Sequence, residues 1–141
     1  MVVLDTDHLS LLVRGESAAG RRLQRRLDKS AAGGVVATII SYEEQMRGWL
    51  SYLAKSRSME QQIDAYKRLH GNLINFQSIQ LLDFDESAAV QFQRIQKLRL
   101  RVGTMDLKIA AITIANDGLL LTRNLSDFEG IPGLKVEDWT T

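Results

Sequence analysis

Asp5 in VVLDTDHL, Glu44 in SYEEQMRG, Asp106 in GTMDLKIAAI and Asp127 in TRNLSDFE are acids in four separate segments. Each stands where an apolar run ends or a helical period begins. A parallel sheet gathers its strand ends on one edge, so acids distant in sequence would share a pocket there. Like charges in such a pocket repel, and burial disfavours the charged form. A divalent cation resolves both problems, and an all-oxygen set suits Mg2+ or Mn2+. Each acid also has a plain structural explanation. Asp5 can cap a helix starting at Thr6 or Asp7. Ser41 and Glu44 have capping-box spacing. Asp106 carries favourable charge at a helix N-terminus, and Asp127 can cap a short turn at Phe128. Glu43 competes with Glu44 from about 100° further round the helix. Asp7, two residues on, competes with Asp5 for the pocket. Thr122, Asn124 and Ser126 share the polar loop of Asp127, and Asn124 is suited to hold a water or a phosphate oxygen.

The elements that must position these residues alternate. Val2–Leu4, Val35–Ile40, Ile79–Leu82, Leu119–Leu121 and Leu134–Val136 read as strands. Helical periods run over His8 to Arg14, Ser17 to Lys29, Ser41 to Leu53, Met59 to Phe76, Asp85 to Leu98 and Met105 to Asn116. In the fourth of these, Ile63, Tyr66, Leu69, Leu73 and Phe76 form the expected apolar stripe. Strands alternating with helices imply an α/β fold, with helices on both faces of a largely parallel sheet. A chain of 141 residues without repeat, linker or low-complexity tract fits a single domain over 1–141.

Composition narrows the chemistry. There is no cysteine, which excludes disulfides, zinc–thiolate centres and thiol nucleophiles. His8 and His70 are the only histidines and are not spaced as a pair. Gly33-Gly34 precedes a strand and Gly103-Thr104 lacks a lysine, so neither is a nucleotide-binding loop. No run has the length of a membrane span, and MVVLDTD is not a signal peptide. The expectation is a cytoplasmic protein. The net charge of +1 conceals basic clusters in GRRLQRRLDK and RIQKLRLR. Basic surface beside an acidic pocket suits a polyanion; two solvated helix faces would look the same.

Three blocks carry a family resemblance: VVLDTDHLSLL, TIISYEEQMRG and RVGTMDLKIAAITIANDGLLLTRNLSDFEGIPGLKVEDW. Together they resemble PIN-domain ribonucleases of the VapC toxin type over nearly the whole chain. The most specific part is G-x-x-D-x-x-I-A-A, then L-x-T-x-N, then D-F. The family's first aspartate falls on Asp5, its helix-borne glutamate on Glu44 ahead of Gly48, and its third acid on Asp106. The variable fourth acid falls on Asp127, with Asn124 in the common asparagine place. Gln45 stands where leucine is usual, and Asp7 where asparagine or serine is frequent. The resemblance implies a Mg2+-dependent endoribonuclease, a homodimer restrained by an antitoxin from the same operon, and a three-layer sandwich with sheet order 3-2-1-4-5. Asp5 and Asp106 would then hold the metal. Glu44 and Asp127 would complete the catalytic set, supported by Asp7, Thr122 and Asn124. Arg21, Arg22, Arg25, Arg26, Arg94, Lys97, Arg99 and Arg101 would be candidates for the RNA backbone. The apolar hairpin of Trp49, Leu50, Tyr52 and Leu53 would serve a partner groove or dimer contact.

Two rival readings stand beside this one. In a haloacid dehalogenase-like phosphatase, Asp5 would be the nucleophile and Asp7 the acid. The remaining motifs of that family would have to follow a threonine-ended strand, and Thr122 leaves too little chain. In a receiver-like signalling domain, Asp83 would be phosphorylated, with Thr122 and Lys135 beside it.

Overall fold

Three consecutive buried residues, Val2–Leu4, form strand β1. The computed structural model describes residues 1–30 and 33–141. Neighbouring side chains on a strand point to opposite faces, and here each face has its own core. Val3 joins Val36 of β2 (Val35–Thr38) and Leu120 of β4 (Leu119–Leu121) in one cluster. Val2 and Leu4 join Ala37 and Leu121 in the other. Burial on both faces explains why these segments are apolar without alternation. With β3 (Gln80–Leu82) and β5 (Lys135–Glu137) they form a parallel sheet in the order β3-β2-β1-β4-β5. The α/β class and the strand order match the expectation.

Helices α5 (Glu86–Gln96) and α6 (Thr104–Ala115) pack on the Val3 side. Helices α1 (Thr6–Arg14) and α2 (Ala18–Ser30), with Trp139, cover the other. Helix α6 buries Leu107 and every residue from Ile109 to Thr113, which explains its lack of a polar face. Helix α1 stops at Gly15, whose φ of 68° is open to glycine and whose N–H donates to the Leu11 carbonyl.

Two expectations are corrected. Strand β2 ends at Thr38, not Ile40, and helix α3 (Ile39–Ala54) starts two residues before Ser41. The Thr38 hydroxyl accepts the Ser41 N–H at 3.2 Å, so Thr38 is the cap and Ile40 turns into the core. The Ser41–Glu44 capping box does not form, because Ser41 itself occupies the third helical position. Helix α4 (Met59–Gln77) follows α3 in a hairpin, but its buried residues are Ala65, Asn72 and Phe76. Ile63, Tyr66 and Leu73 of the expected stripe are exposed at 52%, 59% and 45%. Periodicity identifies an apolar face but not its partner, and here Ala65 and Asn72 turn inward beside Phe76, the stripe residue that is buried as expected. Among the described residues, no helix is long and apolar enough to cross a membrane.

Helix α7 (Leu125–Phe128) is a single turn anchored by Phe128, which is fully buried beside Leu120 and Ile131. Removing that ring leaves a cavity, so Phe128→Ala should cost about 3–5 kcal/mol, measured by denaturant unfolding. A loss below about 1 kcal/mol would mean that the loop is not held by this contact.

Candidate active site

The chain leaves β1 toward β2 on one side, while β4 leads to β5 on the other. The carboxyl ends of β1 and β4 therefore flank the crevice where parallel sheets bind ligands. Asp5 follows β1 directly, and its N–H donates to the Leu121 carbonyl at 2.9 Å. Its carboxylate accepts the Thr6 N–H and the Thr122 hydroxyl, each at 2.8 Å. The capping and pocket readings of Asp5 thus hold together. Burial, at 8% exposure, pushes its pKa from 3.8 up to about 6, despite the two hydrogen bonds and with help from Asp7 and Asp106.

Glu44 comes from the second turn of α3. Burial, then the charges of Asp5, Asp106 and Glu43, push it from 4.5 up to about 7. Its Oε1 is buried without a hydrogen-bond partner. Glu43 instead pairs with Arg47 one turn on, which separates the two neighbours. Asp106 lies in the first turn of α6, where Gly103 caps without a side chain. It is raised by burial first, then by Asp127 and Asp7. Asp127 is exposed and accepts the Asn124 amide at 2.6 Å. Asn124, not Asp127, precedes the α7 turn, and its N–H donates to Thr122 Oγ1 at 3.0 Å.

Asp7 sits on the same side but has other partners. Its Oδ2 accepts the Arg123 N–H at 3.0 Å and lies 3.3 Å from Thr122 Oγ1. Burial raises its pKa, but the bonds from His8 and the Arg123 N–H outweigh that and hold it low. A carboxyl kept ionised in this way is a poor general acid, contrary to the phosphatase reading. Asp83 is exposed after the edge strand β3, with β2 between it and β1. A receiver needs that strand beside β1. His8, set aside from the sequence as an isolated histidine, is fully buried, with Asp7 on one ring nitrogen and Trp139 on the other. Its partner lies 131 positions away, a link that no local spacing signals.

The basic residues divide. Arg22 donates to the Thr140 carbonyl at 2.7 Å, and Arg26 stacks on Trp139 with 4.7 Å to the ring centroid. Arg94 reaches the Pro132 carbonyl at 3.2 Å, just before β5 starts, toward the opposite end of the sheet. Arg21 donates to the Glu16 carbonyl at 2.6 Å, and Arg25, Lys97, Arg99 and Arg101 are, like the others, exposed. Trp49 of the apolar hairpin lines a groove of about 290 Å³ with Leu9, Val13, Lys67, Asn72 and Phe76.

Among the described residues, no three His, Asp or Glu side chains converge closely enough to cage a metal ion. Mg2+ does not require a cage: it keeps several waters and takes one or two carboxylates. The oxygen-only donor set and the orphaned Glu44 Oε1 fit such an ion.

An acid raised in the fold binds its proton more tightly folded than unfolded, so stability falls as pH climbs through that interval. The interval runs from 3.8 to about 6 for Asp5 and from 4.5 to about 7 for Glu44. Asp7 acts oppositely, but only below the ordinary carboxylate range. Chelator-treated protein should therefore melt lower at about pH 8 than at about pH 5 through these groups, and Asp106→Asn should raise the Tm at the higher pH. A lower Tm for that variant in calorimetry would make Asp106 a structural cap.

No protein-family model matches the chain. Over 65 residues it is 35% identical to the tRNA(fMet)-specific endonuclease VapC of Salmonella typhimurium. That stretch is 43% of this chain and spans about half, 49%, of the relative's length. Among solved structures, a chain of VapBC-1 from nontypeable Haemophilus influenzae superposes with a TM-score of 0.76 at 20% identity, covering 100% of both chains. A chain of the DNA-bound VapBC from Salmonella typhimurium gives 0.72 at 22% identity, covering 98% of this chain and 97% of that one. The chain is thus similar in part of its sequence to a VapC endonuclease, and in fold along its whole length to chains of VapBC assemblies.

Proposed function

We propose that this protein is a metal-dependent endoribonuclease of the VapC type, the toxin of a toxin–antitoxin pair. One observation carries the reading. Glu44 Oε1 is buried without a partner, under the charges of Asp5 and Asp106, at the crevice between β1 and β4. Such a group calls for a cation or a proton. The likeness to VapC and to VapBC chains supports RNA as substrate and an antitoxin as partner.

In this reading Asp5 and Asp106 hold a Mg2+ ion, with Mn2+ as the alternative. Bound there, a divalent ion neutralises phosphate charge and acidifies water. Thr122 fixes one oxygen of Asp5 and the Thr6 N–H fixes the other, which sets the orientation of the carboxylate. Glu44, raised in the metal-free protein by burial and the neighbouring acids, stands beside that pair to position the ion through its waters. Asp127, braced by Asn124, adds charge on the α7 side. Arg25, Lys97, Arg99 and Arg101 are exposed bases that suit the RNA backbone, and such binding weakens steeply with salt. The groove between α1, α3 and α4 is the antitoxin contact, and the exposed Ile63, Tyr66 and Leu73 of α4 serve a homodimer in the cytoplasm.

Purified protein freed of antitoxin should cleave RNA in Mg2+ and stop in EDTA. Asp5→Asn, Glu44→Gln and Asp106→Asn should each reduce cleavage to background with an unchanged circular dichroism spectrum, and Asp127→Asn should retain part of it. Full activity in Asp5→Asn or Asp106→Asn would refute the assignment.

A further inference from the structure

The C-terminal residues Asp138–Thr140 reach the pocket through one buried side chain. The Trp139 N–H donates to His8 Nε2 at 3.2 Å, which leaves the ring proton on Nδ1. Nδ1 lies 2.8 Å from Asp7 Oδ1 and donates to it. Asp138 Oδ1 is also near, 3.6 Å from Nε2. That oxygen is already taken by the Thr140 N–H at 2.8 Å and its hydroxyl at 2.6 Å, so it does not claim the ring. The other oxygen of Asp7 holds the Arg123 N–H at 3.0 Å, next to Thr122. Thr122 has one hydroxyl proton, and at 2.8 Å Asp5 receives it rather than Asp7 at 3.3 Å. A continuous path therefore runs from Trp139 through His8 and Asp7 to Arg123 and Thr122, and on to Asp5.

We propose that His8 is a positioning residue, which locks Asp7 onto the Thr122–Arg123 turn and so sets the orientation of Asp5. The Trp139 N–H on the other ring nitrogen fixes the tautomer in which Nδ1 donates to Asp7. His8 and Thr122 are fully buried, while the Asp7 side chain is 34% exposed, so water reaches Asp7 but not the ring that orients it. The role rests on the nuclease reading above, but the linkage itself does not.

Two substitutions separate the halves of the ring. His8→Asn puts an amide N–H near the place of Nδ1 and gives up Trp139. His8→Gln puts an amide oxygen near the place of Nε2 and gives up Asp7. In His8→Gln, amide exchange at Arg123 should quicken, and kcat on RNA should fall about tenfold with KM unchanged. In His8→Asn, both should stay near wild type, although each variant loses thermal stability. Activity and Arg123 protection that fall together in both variants, in step with Tm, would make His8 merely structural and overturn the proposal. Should neither variant fold, nitrogen NMR of the wild-type ring decides: the Nδ1–H tautomer is expected, and the Nε2–H tautomer would overturn the path. Wild-type protein that cleaves no RNA would count against the nuclease reading instead, while the tautomer and the Arg123 exchange still decide the linkage.

Discussion

Mutual repulsion of carboxylates in a half-buried crevice is the constraint around which this fold is arranged. Asp5 has almost no access to water, yet Asp7, Asp106 and Glu44 are close enough to act on one another. Keeping Asp5 ionised at neutral pH costs the fold on the order of 3 kcal/mol, a large share of an ordinary domain's stability. The arrangement persists because each acid stands on rigid structure. Asp5 is pinned to the end of β4 by backbone and side chain, and Glu44 and Asp106 ride on α3 and α6. The sheet supplies this rigidity through strands buried on both faces. Rigid elements hold the acids together in spite of that cost.

Polar contacts around the crevice are shared out rather than pooled. Asp7 is satisfied by His8 and Arg123, and Asp127 by Asn124. Glu44 has one oxygen with nothing. Buried polar groups without partners are uncommon in folded proteins, and one among like charges is relieved by a proton or a cation. The arginines of α2 divide by partner and not by exposure: Arg22 and Arg26 hold the C-terminal segment, Arg21 donates to the Glu16 carbonyl, and all of these and Arg25 are exposed.

Much of the site was legible. Asp5 and Asp106 were readable because each follows or opens an element whose apolar run is unmistakable. Glu44 was ambiguous, because Ser41 and Glu44 mimic a capping box. The ambiguity vanishes once Thr38 takes the cap, a choice driven by burial of Ile40 and not by local propensity. The face of α4 was misassigned for a related reason. An apolar stripe at helical spacing marks a face that wants cover, but of that stripe Phe76 is buried while Ile63, Tyr66 and Leu73 were left outside and Ala65 and Asn72 turned inward.

The amino-acid sequence alone determined the α/β alternation, the sites where strands end in acids, and the exclusion of thiol chemistry, because these depend on residue type and near-neighbour period. Tertiary structure decided which acid of each adjacent pair faces the crevice, which arginines are engaged, and that His8 ties Trp139 to Asp7. Those outcomes depend on contacts between segments more than a hundred positions apart, and side-chain direction across such distances is set only when the sheet brings its strand ends together.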